Sequence, residues 1–139
     1  MFNNSQLNLA VFFDNSFDDL KNLSKGVFEK NLYAIKKNSN PFQFIQKVLI
    51  NKKGKGETIN DIHIIAHGNN DAIFFGNYKF DLNELKKAKI NLENLNLKKI
   101  VLWVCGIGDN KKFIEELGQI TGADIFYSEK NIDNRNPKV

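Results

Sequence analysis

The sequence predicts an α/β domain in which helices cover both faces of a mostly parallel sheet. Segments of strand character alternate with segments of helical character along most of the 139 residues, as is typical of parallel sheets with right-handed crossovers. Two strand segments, 62–66 and 100–104, are largely apolar, which is expected of strands buried on both faces. Since a chain of this length forms one domain, residues 1–139 are predicted to be a single three-layer α-β-α sandwich.

The N-terminal part is predicted to contain two strands and two helices. Residues 7–13 are an apolar first strand, and a short helix over 17–24 follows. A second strand over 27–35 is expected at the sheet edge, because polar residues interrupt it. The helix predicted over 41–49 starts at a proline, which suits a first helical turn, and its apolar residues recur at helical spacing. The basic residues of 52–56 are predicted to form an exposed turn.

The remaining elements are a hairpin, two helices and two strands. Residues 72–80 predict a β-hairpin with Gly76-Asn77 at its bend, inserted after the strand over 62–66. Asp81 or Asn83 is placed to cap a helix, with a break near residues 89–91. Asp109 or Asn110 caps an amphipathic helix that Gly122 ends. A last strand is expected over 123–127, and the polar tail from residue 128 is expected to be flexible.

Composition and charge exclude several classes of function. The net charge is +4, but the lysines are scattered and no arginine-rich or aromatic-interleaved stripe occurs, so no nucleic-acid partner is expected. No apolar run approaches the ~20 residues of a membrane span, and no membrane partner is expected. The N-terminus lacks the pattern of a signal peptide, which predicts a soluble protein that is cytoplasmic or exported without an N-terminal signal.

The chain has one cysteine and two histidines. A single cysteine excludes an internal disulfide framework and a cysteine-rich zinc site. His63 and His67 are four residues apart on a strand, at different depths, which makes them a poor pair of metal ligands. No metal and no cofactor are therefore expected. His63 is predicted to be a core residue or to be held by a hydrogen bond.

The apolar strands end on residues that suit nucleophilic catalysis. One strand ends at His67-Gly68 and the other at Cys105, and parallel strands carry their catalytic groups at their C-terminal ends. An imidazole beside a thiol can remove its proton, and the thiolate is the nucleophile. The N–H of Gly68 is placed to face an oxyanion. The parts of a cysteine acyl-transfer site are present, provided that the two strands are neighbours.

Two alternatives stay open at the level of residue types. A lone cysteine most often fills space in a core, so that Cys105 need not be a nucleophile. Gly106-Ile107-Gly108 after a strand is half of a dinucleotide-binding fingerprint, without its third glycine and its acidic residue. A phosphate- or nucleotide-binding domain that uses residues 106–110 is therefore a further hypothesis.

Several motifs together resemble the bacterial domain-of-unknown-function family 4347, over roughly residues 7–133. Members typically show a strand ending in Ser-His-Gly, a hairpin with Leu-Gly-Asn, a strand ending in Tyr-Gly-Cys-Asn, and the run Leu-Thr-Gly-Ala-Asp-Val. The first strand, with its acidic end, also fits the family. The corresponding residues here are Ala66-His67-Gly68, Phe75-Gly76-Asn77, Val104-Cys105-Gly106 and Ile120-Thr121-Gly122-Ala123-Asp124.

That family is in turn similar to the caspase-like cysteine peptidases. The resemblance implies a caspase-like, flavodoxin-like fold in which His67 is the general base or acid and Cys105 the nucleophile. It implies an oxyanion hole from the N–H groups of Gly68 and Cys105, and an orienting role for Asp14 or Asn15. The implied partner is a peptide or protein substrate, this chain itself included, and the implied activity is that of a cysteine endopeptidase.

The sequence departs from the family pattern on both sides of the cysteine. Val104 and Gly106 stand where family members carry Gly and Asn. A β-branched residue before the cysteine restricts the backbone that aims the Cys105 N–H. The alternative hypothesis is therefore a catalytically degenerate domain of the same fold that serves as a binding module.

Overall fold

The structure, a computed structural model, describes residues 8–17, 31–35 and 40–128. These residues form seven strands and four helices, with short 3₁₀ turns at Asn15–Phe17 and Ile107–Asp109. The strands are β1 (Leu9–Asp14), β2 (Leu32–Ile35), β3 (Asp61–Gly68), β4 (Ile73–Phe75), β5 (Tyr78–Phe80), β6 (Lys99–Val104) and β7 (Asp124–Tyr127). The helices are α1 (Pro41–Gly54), α2 (Leu82–Lys87), α3 (Lys89–Leu92) and α4 (Lys111–Thr121).

The sheet is mostly parallel, as predicted. Five strands lie side by side in the order β2-β1-β3-β6-β7, and each neighbouring pair is parallel. β3 is the central strand: Asp61 pairs with Leu9 of β1 on one side and with Lys99 of β6 on the other. The last two residues of β3 pair instead with β4, which forms an antiparallel hairpin with β5. The predicted hairpin and its bend at Gly76 are confirmed, and Gly76 has a φ of 63°.

Side-chain caps fix where the helices begin. Oδ1 of Asn40 accepts a hydrogen bond from the N–H of Phe42 at 2.9 Å at the start of α1. Asp81 caps α2, and Asn110 caps α4 by accepting from the N–H of Phe113 at 3.0 Å. Each cap satisfies an N–H that has no partner within its own helix. None of the helices in the described part of the chain is long and apolar enough to cross a membrane.

The basic residues of 52–56, predicted to form an exposed turn, lie partly in α1. α1 continues to Gly54, so that Lys52 and Lys53 lie in its last helical turn. Cations in the last turn interact favourably with the helix dipole. Lys52 is also half-buried and forms an ion pair with Glu57 at 3.5 Å. The turn itself is confined to residues 55–56.

All four described helices pack on one face of the sheet. Side chains alternate along a strand, so every second strand residue shares this face. The helices contribute Phe42, Ile45, Leu85, Leu92, Phe113 and Leu117 to a continuous core, and each is almost fully buried. The strand residues of the same core are Ala10, Phe12, Ile62, Ile64, Ala66, Ile100, Leu102 and Val104.

The opposite face of the sheet carries none of the four described helices. Val11, Phe13 and Val101 on this face are buried, but His63 and Ile65 are half-buried. Trp103 lies on a strand that the sequence predicts to be buried on both faces, but it is half-buried, because its side chain is on the face without the four described helices. Most of the helix predicted over 17–24, the strand residues before 31 and the tail after 128 lie outside the described residues.

Candidate functional site

The two strand tips predicted to carry the site lie side by side. β3 and β6 are parallel neighbours, and their register runs up to the pair formed by Ala66 and Val104. His67 follows Ala66 in β3, and Cys105 is the first residue after β6. Adjacent strands are ~4.8 Å apart, so these residues lie at the same edge of the sheet. The strand order also reverses at β1 and β3, and ligands of open α/β sheets bind at such switch points.

Glycines allow the two tips to approach closely. A Cβ added at Gly68 would collide with Cγ1 of Val104, and it would lie 2.9 Å from the carbonyl oxygen of Ala72 and 3.3 Å from that of Cys105. Gly106 has a φ of 79°, and a Cβ there would lie 3.0 Å from the carbonyl carbon of Asn69. The turns after β3 and β6 therefore pack backbone against backbone. This contact fixes His67 relative to Cys105.

Both side chains of the predicted dyad are accessible from solvent. His67 is exposed and Cys105 is half-buried. Cys105 follows the last residue of β6, and strand alternation puts His67 on the same face as the paired residues Ile65 and Trp103. This is the face opposite the four described helices.

An aromatic ring holds the exposed imidazole in place. Phe17, at the end of the 3₁₀ turn after β1, stacks on His67 with ring centroids 4.5 Å apart and an interplanar angle of 26°. Stacked aromatic pairs contribute about 0.5–1.5 kcal/mol beyond the area that they bury. Phe17 is not recognisable as a site residue from the sequence, because no periodic pattern relates a turn after β1 to the tip of β3.

The predicted orienting residues, Asp14 and Asn15, are placed differently from one another. Asp14 is 1% exposed, and its Oδ2 accepts hydrogen bonds from the N–H and the hydroxyl of Ser16. Asn15 is exposed. Within the described residues, neither side chain makes a hydrogen bond to His67. An orienting role for Asp14 or Asn15 therefore stays a prediction, whereas the ring of Phe17 contacts His67 directly.

The turn after β3 is closed by its own hydrogen bonds. Oδ1 of Asn69 accepts from the N–H of Asp71 at 2.8 Å and from that of Ala72 at 3.0 Å. The N–H of Asn69 in turn donates to the carbonyl of Ala72 at 3.0 Å. Hydrogen-bonded and non-bonded pairs alternate along an antiparallel ladder, so the N–H of Gly68 is directed away from β4.

A second histidine lies on the same strand but has a structural partner. Nε1 of Trp103 donates a hydrogen bond to Nδ1 of His63 at 2.9 Å. Burial lowers the pKa of His63 below its usual 6.5, and Asp61 partly offsets this effect. His63 is thus held by a hydrogen bond, as predicted. In the parts of the chain that the structure describes, no three His, Cys, Asp or Glu side chains gather into a metal site.

Comparison with known proteins identifies the family. The model of the family described as a domain of unknown function (DUF4347) matches residues 10–137. No curated protein and no solved structure matches the chain. The family resemblance found in the sequence motifs is thereby confirmed. Since the match covers most of the sequence, the chain belongs to the DUF4347 family.

Proposed function

We propose that this chain is a caspase-like cysteine peptidase domain with a His67–Cys105 dyad. The observation that carries the proposal is the register of β3 and β6, which pair up to Ala66 and Val104, the residues directly before His67 and Cys105. Three further observations support it: both residues reach solvent, Gly68 packs against the backbone of Cys105, and Phe17 holds the imidazole ring. The substrate class is a peptide or a protein, and this chain is itself a candidate substrate.

The strand order supports the finer fold assignment within this proposal. The caspase-like, flavodoxin-like arrangement that the resemblance implies has its active site at the C-terminal ends of parallel strands. The order β2-β1-β3-β6-β7 provides two such ends, at His67 and Cys105, next to the point where the order reverses. The hairpin β4–β5 follows immediately after His67 and flanks the site.

The proposed chemistry uses these residues as base, nucleophile and hydrogen-bond donors. His67 takes the proton from Sγ of Cys105, and the thiolate attacks the carbonyl carbon of a peptide bond, forming a C–S bond and a tetrahedral oxyanion. The N–H groups of Gly68 and Cys105 face that oxyanion. Its collapse breaks the C–N bond, and the imidazolium gives its proton to the leaving amine. Water, deprotonated by His67, then hydrolyses the thioester and restores the thiol.

Alkylation of the cysteine tests the dyad without knowledge of the substrate. Cys105 is the only cysteine, so iodoacetamide modification followed by mass spectrometry reports on it alone. An ordinary thiol with a pKa near ~8.5 is only a few per cent thiolate at neutral pH. A dyad predicts alkylation near pH ~7 that is at least about tenfold faster than that of glutathione. His67→Ala should remove this enhancement.

A matched variant distinguishes the effect of losing His67 from the effect of replacing any histidine of β3. His63→Gln changes the other histidine, four residues earlier on the same strand and face, and should leave the alkylation rate unchanged. If a peptide substrate is found, Cys105→Ala and His67→Ala should each abolish cleavage, and the double variant should be no worse. Slow alkylation that does not respond to His67→Ala would overturn the peptidase proposal and favour the binding module.

A further inference from the structure

The fold gathers lysines that are scattered in the sequence onto helices α1, α2 and α3. Residues 41–56 and 82–93, which form these helices and the turn after α1, contain seven lysines and two glutamates. Their net charge is therefore +5, compared with +4 for the whole chain. The positive charge of the protein is thus concentrated in these helices, and the rest of the sequence is close to neutral.

Most of these lysines have no acidic partner. Lys52 pairs with Glu57, and Lys87 pairs with Glu84. Among the residues that the structure describes, the other lysines of these helices are exposed and form no ion pair: Lys47, Lys53, Lys55, Lys86 and Lys89. Uncompensated charge of one sign attracts a partner of the opposite sign, which here is an anion.

Two isoleucines protrude from the same helices. Ile50 is 60% exposed and Ile90 is 73% exposed, the highest values for large hydrophobic side chains in the described part of the chain. Nδ2 of Asn91 donates a hydrogen bond to Oε1 of Gln46 at 2.9 Å, which holds α3 beside α1. Gln46 lies one helical turn before Ile50, and Asn91 directly follows Ile90, so both isoleucines are near this contact. A single exposed isoleucine is ordinary, whereas two of them among unpaired lysines form an amphipathic surface.

A hollow beside Lys47 provides room for an anionic group. It has a volume of about 200 Å³ between α1 and β2, and its lining residues are Tyr33, Lys47, Val48, Asn51 and Lys52. The lining supplies two lysine side chains and an amide as hydrogen-bond donors, and no acidic side chain. Lys47 and Ile50 are three residues apart on α1, so the hollow lies next to the protruding isoleucine.

We propose that the outer surface of α1 and α3, formed by Lys47, Ile50, Lys89 and Ile90, binds a membrane that contains anionic phospholipids. The lysines face the negative headgroups, the hollow beside Lys47 accepts a headgroup phosphate, and the isoleucines enter the boundary between headgroups and acyl chains. A nucleic acid would neutralise the lysines but leave both isoleucines in water. The expectation of no membrane partner was drawn from the lack of a spanning segment, and a peripheral contact does not require one. This surface does not depend on Cys105 being a nucleophile.

Cosedimentation of the full chain with lipid vesicles tests the proposal. Binding is expected to vesicles that contain phosphatidylglycerol and not to vesicles of pure phosphatidylcholine, and it should weaken as the salt concentration is raised. Lack of binding to the anionic vesicles at low salt would overturn the proposal. Binding of glycerol phosphate or of a DNA duplex without binding to vesicles would assign the lysines to a soluble anion and would overturn it as well.

Lysine variants locate the contact on this surface. Lys47→Gln and Lys89→Gln should each weaken vesicle binding about fivefold, the factor expected for one lysine near an anionic membrane. The matched control is Lys111→Gln with Lys112→Gln, which removes two exposed lysines from α4, outside the surface. If this control lost as much binding as the double variant of Lys47 and Lys89, the attraction would be nonspecific and the surface would be refuted.

Isoleucine variants distinguish a lipid surface from charge attraction alone. Ile50→Ser with Ile90→Ser leaves every lysine in place and should weaken vesicle binding about tenfold, because two apolar side chains no longer leave water. Both side chains are exposed, so the unfolding midpoint of this variant should match that of the parent protein. Unchanged vesicle binding by the folded isoleucine variant would overturn the proposal.

Discussion

The indole of Trp103 donates its Nε1–H to Nδ1 of His63 across two neighbouring parallel strands, at 2.9 Å. Since an indole nitrogen can only donate, Nδ1 must accept, and the neutral imidazole carries its proton on Nε2. Protonation of Nδ1 would convert this acceptor into a donor and break the bond. The hydrogen bond therefore requires the neutral form of His63.

The first prediction is that stability falls below about pH 6.5 through His63. Its pKa is 6.5 in the unfolded chain and is lowered in the fold, chiefly by burial. The unfolded chain thus binds a proton first as the pH falls, so this contribution to stability is fully present above pH 6.5 and is lost toward the lowered folded value. Denaturant unfolding between about pH 8 and pH 5 measures it.

Two variants isolate this histidine. His63→Gln retains an acceptor for Trp103 but cannot titrate, and should flatten the pH dependence in that interval. Asp61→Asn removes the charge that partly raises the pKa of His63, and should extend the loss of stability to lower pH. A pH profile of His63→Gln identical to that of the parent protein would contradict the assignment to this residue.

The second prediction concerns the ring that stacks on His67. Phe17→Leu removes the stacking but keeps an apolar side chain, and should slow the His67-dependent alkylation of Cys105 by about two- to tenfold, the equivalent of one aromatic pair. Phe17→Tyr keeps the stacked ring and should behave like the parent protein. A parent-like alkylation rate in Phe17→Leu would show that the ring does not position the imidazole.

The third prediction tests the close contact of the strand tips. Gly68→Ala places a Cβ against Val104 and the carbonyl of Ala72, and should destabilise the fold by about 1–3 kcal/mol, as overpacking of a core does. Adding Val104→Ala should restore part of the lost stability, because it removes the collision with the valine side chain. The rescue should be incomplete, because the close contact with the carbonyl oxygen of Ala72 remains. Gly54→Ala is the control: nothing lies within 4 Å of its Cβ position, and its unfolding midpoint should not fall.

The fourth prediction distinguishes between Asp81 and Asn83, the two residues that the sequence offers as the N-cap of α2. The side chain of Asp81 accepts from the N–H of Glu84 at 3.0 Å, whereas Asn83 is exposed within α2. Asp81→Ala should cost about 1 kcal/mol of unfolding free energy, the usual value of a lost cap. Asn83→Ala should be neutral or slightly stabilising, because alanine is the better helix former. Equal effects of the two substitutions would argue against the cap.

Local patterns in the sequence were sufficient for most of the fold. The apolar strands, the bend at Gly76 and the caps each depend on residues close together in sequence, and the parallel sheet followed from their alternation. The two apolar segments that became β3 and β6 were recognisable as strands from the sequence, and the structure pairs them in parallel. Gly68 was singled out for its N–H alone, although its lack of a side chain is also required by the packing of Val104.

Features that depend on the second face of the sheet were not predictable in this way. Trp103 was expected to be buried because its strand is apolar, but exposure depends on which face the helices cover. The stacking of Phe17 on His67 joins residues that are far apart in the chain and share no repeat. Such contacts are products of the tertiary arrangement.

The central position of β3 has a consequence for how the chain reaches its fold. β1 is synthesised before β3, and the residues that pair between these two strands are about fifty positions apart in the sequence. β6 pairs with β3 after a further crossover. Contacts of such long sequence separation form slowly, because the closure of large loops precedes the gain from pairing. During synthesis, the edge of β1 that faces β3 therefore stays unpaired until β3 has left the ribosome, whereas its other edge can pair earlier with β2. Substitutions that weaken β3 are expected to slow folding and promote aggregation of nascent chains, even where they spare the site.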